Sequence, residues 1–180
     1  MKKKFGDWIK KRKFLSSFIL LIVIGYLFPQ NFSFPVKGAT NKDFSQESFW
    51  YYPWGKSVTH KGVDVFSKVG TDVYSSTGGI VMYAGTINMG GNVVFVLGPK
   101  WRLHYYAHLS KIETSFFSFV SSGELIGKVG QSGNAAGKSP HLHYSINTLI
   151  PLPWQIDGAK QGWKKMFYVN PIPFLNESAK

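Results

Sequence analysis

The chain has no cysteine and few acidic residues, and both shortages limit its chemistry. The absence of cysteine excludes disulfides, thiol catalysis and thiolate ligands, so any metal must be held by His, Asp or Glu. Nine acidic against twenty-one basic residues give a net charge of +12, which suits an anionic partner such as nucleic acid, lipid headgroups or an anionic cell wall. The few carboxylates form no paired motif, which disfavours a glycosidase. An apolar fraction of 44% in 180 residues predicts one folded domain plus a tail.

The basic residues are concentrated at the N-terminus, ahead of a long uncharged segment. Seven of them lie within residues 1–13, which we expect to stay in the cytoplasm. Residues 14–28 carry no charge and have no polar face, which is typical of an export signal and not of a buried core helix. We expect this apolar helix to anchor the chain in the cytoplasmic membrane, with the rest outside the cytoplasm, in the periplasm or cell wall. Secretion after cleavage of a signal peptide is the alternative. An exported chain is a poor candidate for a nucleic-acid partner.

Beyond this segment the sequence predicts a linker and then a mainly β domain. Residues 29–46 contain two prolines and several polar residues, which favours a linker. From residue 47 to about residue 175, short apolar runs alternate with glycine-rich turns, and no window has a helical period. We therefore expect a small antiparallel β-sheet domain. The clearest predicted strands cover residues 80–86, 92–97, 102–108, 124–129 and 141–146.

Four of the five histidines fall in three short motifs that predict a metal site. They are His60-Lys61-Gly62-Val63-Asp64, Tyr106-Ala107-His108 and His141-Leu142-His143. In an extended chain, residues two and four apart share a face, so each motif can present its polar side chains together. Two histidines and one carboxylate with an open fourth position are the ligand set of a catalytic zinc ion. Spacing alone leaves open which of His141 and His143 binds the metal. The fifth histidine, His104, shares the face of His108 on a regular strand and is interpreted as structural.

These motifs, with their order and spacing, resemble the lysostaphin/LytM-type zinc endopeptidases, the twenty-third family of metallopeptidases. The resemblance extends from about Pro53 to Pro171. Beside the histidine motifs it rests on Gly70-Thr71-x-Val73, Gly78-Gly79-Ile80-Val81, Gly123-x-x-Ile126-Gly127-x-x-Gly130-x-Ser132-Gly133-Asn134 and Asn170-Pro171.

The resemblance implies a fold, a cofactor and a reaction. It implies one Zn²⁺ per chain, held by His60, Asp64 and His143, with His108 and His141 as catalytic residues that do not bind the metal. The implied reaction is hydrolysis of peptide cross-links of bacterial peptidoglycan, in an open groove of a small antiparallel β-sheet domain. Glycine bridges and D-alanyl–diamino acid cross-links are both cleaved within the family, and no residue here decides between them.

One position departs from the family pattern. Where the family has an aromatic residue and then Glu after the His-Leu-His motif, this chain has Tyr144 and Ser145. Ser145 shares a face with the two histidines, so an orienting contact is expected to be lost or supplied by another group. Degenerate members of the family have lost ligands and activate other hydrolases. A non-catalytic zinc-containing module that binds the wall or activates a hydrolase is therefore the alternative function.

Overall fold

Antiparallel strands form the framework of the domain, as the sequence predicts. The computed structural model describes residues 2–179, with side chains from residue 11 onward. The helices are α1 Lys2–Leu27 and α2 Ile172–Ser178. The strands are β1 Val63–Phe66, β2 Asp72–Tyr74, β3 Gly79–Ile87, β4 Gly91–Gly98, β5 Arg102–Leu109, β6 Lys111–Ile112, β7 Phe119–Val120, β8 Leu125–Lys128, β9 His141–Thr148 and β10 Tyr168–Val169.

The strands form a large and a small sheet. The large sheet has the order β1-β9-β5-β4-β3-β7, and β10 also pairs with β9. The small sheet has the order β2-β8-β6. Every pair is antiparallel. Strand β9 therefore lies between β1 and β5, and these three strands carry most of the predicted site residues.

Alternation along the strands gives the large sheet one apolar face and one polar face. In β1, Val63 and Val65 are fully buried, and in β9 the residues Leu142, Tyr144 and Ile146 are fully buried. They pack with Val73 and Ile126 of the small sheet and with Leu175 of α2. Residues of odd number in β9 point to the other face, so the core lies on one side of the sheet and the predicted site on the other.

The segment from 29 to 46, expected as a linker, instead packs on the domain. Val36 forms an antiparallel bridge with Val73 and is buried, as is Phe44. The ring of Phe32 lies 5.5 Å from that of Phe174 in α2. Apolar residues at wide spacing lie among the prolines and polar residues that favour a linker, and they pack on the core. We call residues 29–46 the strap.

Helix α1 precedes this strap, and its apolar residues are exposed to solvent. From Phe14 to Phe28 most of the large apolar side chains are exposed. The helix contacts the domain at Trp101, whose Nε1 donates a hydrogen bond of 3.0 Å to the carbonyl oxygen of Ile22 and whose ring packs against Gly25. Among residues 2–179, no helix combines the length and the apolar character needed to cross a membrane, so the expected membrane-spanning segment is not supported. The side chains of the basic cluster from Lys2 to Lys10 lie outside the described residues.

A buried polar network fastens the start of the strap to the core face of the sheet. His104 is fully buried, and its Nδ1 lies 2.6 Å from the hydroxyl of Tyr144. Its Nε2 lies 3.2 Å from Nε2 of Gln30, whose side-chain oxygen accepts a hydrogen bond of 2.6 Å from Arg102. Burial, together with the positive charge of Arg102, lowers the pKa of His104 to about 3. His104 is therefore neutral in the folded protein.

The strap should contribute measurably to stability. A chain that begins at residue 47 loses Val36 and Phe44, each worth about 1.5–3 kcal/mol when buried. We expect its melting temperature to lie on the order of 10 °C below that of a chain beginning at residue 29, which keeps the strap. Thermal unfolding of both chains checks this, and equal melting temperatures would show that the segment is a linker after all.

Neutral His104 should make the fold sensitive to acid. Below pH 6.5 the unfolded chain takes up a proton that the folded chain refuses until about pH 3, so stability falls as the pH falls through this interval. We expect the free energy of unfolding of metal-free protein to depend less steeply on pH in His104→Gln, by about 1.4 kcal/mol per pH unit. Glutamine can still hydrogen-bond Tyr144 but does not titrate. Urea unfolding at pH 7, 5 and 4 measures the two slopes, and parallel curves would contradict the assignment.

Candidate active site

All five predicted site residues line one open cleft on the polar face of the large sheet. The cleft has a volume of about 560 Å³. Strand β9 supplies His141 and His143, and its neighbour β1 supplies Asp64. His60 comes from the segment just before β1, and His108 from the end of β5. The structure thus collects residues that are far apart in sequence.

Strand pairing and one glycine bring three donor atoms together. Asp64 lies directly opposite His143 in the β1–β9 ladder. Two residues earlier, Gly62 passes so close to β9 that a Cβ atom there would meet the carbonyl oxygen of Tyr144 and the ring of His143. Any larger residue would push the His60 segment away from β9. This close approach explains the glycine in the motif His60-x-Gly62-x-Asp64.

The donor atoms fit a single cation. Asp64 Oδ1 lies 3.0 Å from His60 Nε2 and 2.7 Å from His143 Nδ1, and the two nitrogen atoms are 3.1 Å apart. His60 Nδ1 lies 2.9 Å from the carbonyl oxygen of Ser48, to which it must donate, so neutral His60 turns a lone pair towards Asp64. Two acceptors that face each other need a positive charge between them. His60, Asp64 and His143, called the metal-binding group below, could hold a metal ion, and imidazole nitrogen and carboxylate oxygen are ligands that zinc accepts.

Burial and hydrogen bonding fix the charges in this group. Burial opposes ionisation of Asp64, but the close contacts with His143 and His60 outweigh it and hold the pKa of Asp64 well below its usual range. Burial lowers the pKa of His143, which favours the neutral ring. An ionised carboxylate and neutral imidazoles are the forms that bind metal.

His108 reaches the cleft through a bulge in β5. Between the pairs Asn92–Leu109 and Val94–Tyr106, strand β4 has one residue and β5 has two. His108 takes the left-handed backbone conformation in this bulge, with φ of 65°. The bulge turns His108 onto the polar face. His104, expected on the same face as His108, remains on the core face.

Both histidines outside the metal-binding group are held through Nδ1, and Nε2 of His141 lies 3.8 Å from Asp64 Oδ2. His108 Nδ1 lies 2.9 Å from the carbonyl oxygen of Ser132, and His141 Nδ1 lies 2.7 Å from that of Ser139. Because a carbonyl only accepts, both Nδ1 atoms carry the proton, and Nε2 of the neutral ring is an acceptor. Burial, with the nearby His143 and His141, lowers the pKa of His108 to about 4, so it is neutral at pH 7. The two ring centroids are 5.1 Å apart.

Ser145 lies in the cleft but orients no histidine. Among the described residues its hydroxyl donates to Oδ1 of Asn147, at 3.2 Å. The ring of Tyr105, which lies opposite Ser145 in the β5–β9 ladder, instead approaches His143 edge-on at 6.0 Å. The Ser145 side chain therefore supplies no orienting contact to the histidines of the His-Leu-His motif.

Sequence reasoning did not identify Trp54 as a residue that contacts the metal-binding group. Trp54 stacks on His60, with ring centroids 4.1 Å apart and an interplanar angle of 28°. The run from Phe49 to Trp54 is aromatic throughout, and the pattern does not distinguish the residue on the cleft from those that pack the domain edge. No spacing rule relates Trp54 to His60, because a short hairpin closed by Val58 sets the contact.

Comparison with known proteins places the chain in a family. Residues 58–155 match the sequence profile of peptidase family M23. The chain belongs to this family. It is 37% identical over 96 residues to the peptidoglycan DD-endopeptidase ShyA of Vibrio cholerae and 36% identical over 100 residues to the glycyl-glycine endopeptidase ALE-1 of Staphylococcus capitis. The aligned parts cover 53% and 54% of this chain, but only 22% and 27% of those relatives.

The fold is also that of the family. The catalytic domain of the antimicrobial peptidase lysostaphin from Staphylococcus simulans superposes with a TM-score of 0.59 and 27% identity, over 74% of this chain and 93% of that one. The mainly antiparallel architecture expected from the sequence is therefore confirmed. The chain is thus a member of a peptidase family, and its homologues include peptidoglycan endopeptidases.

Zinc should stabilise the fold through His60, Asp64 and His143. At a free zinc concentration of one hundred times Kd, a metal bound only by the folded chain adds about 2.7 kcal/mol. We expect the melting temperature of metal-free protein to rise by roughly 5–10 °C on zinc addition. The isosteric variant Asp64→Asn should show little of this rise, and His104→Gln, the control on the core face, should show all of it. An equal rise in Asp64→Asn would place the metal elsewhere.

Proposed function

We propose that this chain is a zinc-dependent endopeptidase that hydrolyses peptide cross-links of bacterial peptidoglycan. The observation that carries the proposal is the convergence of His60, Asp64 and His143 in an open cleft beside two further histidines, His108 and His141. Closed structural zinc sites have four protein ligands, whereas three ligands leave a position for water or substrate. Membership of the M23 family and the named activities of its relatives support the same reaction.

The metal-binding group would hold one zinc ion through His60 Nε2, a carboxylate oxygen of Asp64 and His143 Nδ1. When bound, zinc supplies Lewis-acid chemistry, polarising the scissile carbonyl and lowering the pKa of water. The hydrogen bond from His60 Nδ1 to Ser48 holds the tautomer that this coordination needs. Trp54, stacked on the ring of His60, limits its rotation and its contact with water.

His108 and His141 provide the proton transfers. One of the two accepts a proton at Nε2 from the attacking water, and the Nε2–H formed in this way can donate a hydrogen bond to the oxyanion that develops on the carbonyl oxygen. The C–N bond then breaks, and the proton passes from Nε2 to the leaving amine. The backbone contacts at Nδ1 fix both rings, and the lowered pKa of His108 keeps it unprotonated and ready to act at neutral pH.

We further propose that the domain acts outside the cytoplasm, where peptidoglycan lies. The basic N-terminus followed by uncharged residues 14–28 supports export. The relatives named above act on two kinds of cross-link, one a DD-peptide bond and one a glycyl-glycine bond. The metal-binding group does not distinguish between these two kinds of cross-link.

Two histidine variants separate catalysis from metal binding. We expect His143→Ala to lose zinc and the release of new peptide ends from purified peptidoglycan. His108→Ala should keep stoichiometric zinc but lose roughly 10²–10⁴-fold of the hydrolytic rate, since it removes a proton-transfer group and no ligand. Metal analysis and quantification of released amino groups measure the two properties side by side.

The control for this pair is His104→Gln, which alters a buried histidine of the opposite face and should retain both zinc and activity. Full hydrolysis by His143→Ala would refute the metal assignment. If His108→Ala is fully functional in cells while zinc is retained, the chain is a zinc-containing activating module and not an enzyme.

A further inference from the structure

The charges that line the cleft are unbalanced. Lys61 and Lys138 both line it, and Asp64 is the one acidic residue among its described lining residues. The charge of Asp64 is already engaged by His60 and His143. A bound divalent cation would make the cleft still more positive. A cleft of this kind favours a substrate that brings negative charge.

Lys61 is a fixed cation without an acidic partner. Its Nζ donates to the carbonyl oxygens of Ser57 at 2.7 Å and Thr59 at 3.2 Å, and it lies 5.8 Å from the ring of Trp50. These contacts hold the ammonium group in place but supply no negative charge, and they leave one of its three N–H groups for a ligand. Within the described part of the chain, no carboxylate forms an ion pair with Lys61.

Four other lysines of the protein form ion pairs with acidic residues. Lys37 and Lys128 both meet Asp72, Lys111 meets Glu113, and Lys165 meets Asp157. Within the described residues these four lysines form ion pairs with acids, whereas Lys61, which lines the cleft, does not. Lys61 lies immediately next to His60 in sequence and is partly buried at the cleft, where an unpaired charge costs stability unless a ligand offsets it.

Lys138 adds a second positive charge on another part of the rim. It lies in the loop before β9, next to Ser139, whose carbonyl oxygen orients His141. Its side chain is exposed, so it can move to meet a ligand. Lys61 is thus a pre-positioned contact, and Lys138 strengthens the field around it.

We propose that Lys61, assisted by Lys138, binds a free carboxylate next to the scissile bond, so that the cleft selects cross-links made through a diamino acid that retains a carboxyl group. An oligoglycine bridge has no charge beside its scissile bonds and would leave Lys61 unpaired. This proposal rests on the proposed function and assigns its substrate class. Lys61 is here a specificity-determining residue that contacts the substrate and takes no part in bond breaking.

The test uses two synthetic cross-linked peptides that differ in one group. In both, D-alanine is joined to the side-chain amine of diaminopimelate, and the carboxyl group next to that amine is either free or amidated. The zinc-loaded full chain should cleave the carboxylate form with a kcat/KM roughly 10-fold above that of the amide, the size expected for a hydrogen bond to a charged group. This ratio should fall towards unity at high salt.

Substitutions of the two lysines test which of them causes the preference for the carboxylate peptide. In Lys61→Gln the ratio should fall to near unity, and in Lys138→Gln it should fall partway. The matched control, Lys111→Gln, removes an exposed lysine of the small sheet and should leave the ratio unchanged. Because each ratio is taken within one variant, a general loss of activity cancels. If Lys61→Gln fails to fold, the Lys138→Gln ratio and the salt dependence of the unmodified chain still decide.

The outcomes separate this proposal from the one on which it rests. A wild-type ratio of one, or an unchanged ratio in Lys61→Gln, would overturn the carboxylate subsite while leaving the peptidase intact. If the zinc-loaded chain cleaves neither peptide but cleaves an oligoglycine bridge, the preference for a diamino acid cross-link is overturned and the peptidase stands. If it also releases no peptide ends from purified peptidoglycan, the proposed function fails, and calorimetric binding of the two peptides tests the subsite alone. Tighter binding of the carboxylate form, lost in Lys61→Gln, would then support the subsite, and equal binding would overturn it.

Discussion

The pairing of β1 with β9 is the constraint on which the rest of the structure depends. It places Asp64 opposite His143, and the apolar residues of the same two strands enforce it. A shift of one residue would expose Val63 and Val65 to solvent and turn Asp64 into the core. The free energy of the core therefore specifies the geometry of the metal-binding group, although the two occupy opposite faces of the sheet.

The bulge at His108 also depends on the pairing of these strands, and it interrupts the regular alternation of β5. His108 occupies a left-handed conformation that costs a residue other than glycine roughly 1–2 kcal/mol. The cost is offset locally, because the His108 N–H donates to the Gly90 carbonyl oxygen at 2.9 Å and its ring donates to Ser132. The bulge allows Leu109 to return to the core while His108 stays in the cleft. A strand that alternated regularly could not supply both.

Much of this architecture is predictable from the sequence, for identifiable reasons. The strand positions follow from short β-branched runs between glycine turns, and the shared face of His141 and His143 follows from the period of a strand. What sequence periodicity could not predict is non-local. The strap at 29–46 is held by apolar residues too widely spaced to form a pattern, and the reversal of His108 relative to His104 depends on an extra residue whose position only the partner strand defines. The stacking of Trp54 on His60 likewise depends on a hairpin and has no sequence period.

The central claim is that three side chains from two paired segments form one metal centre. Anomalous diffraction from zinc-loaded crystals at the zinc absorption edge tests it most directly. The account predicts a single strong peak about 2.0–2.2 Å from His60 Nε2, an oxygen of Asp64 and His143 Nδ1, with no fourth protein ligand. A peak at other residues, a fourth protein ligand, or no peak in the cleft would contradict it.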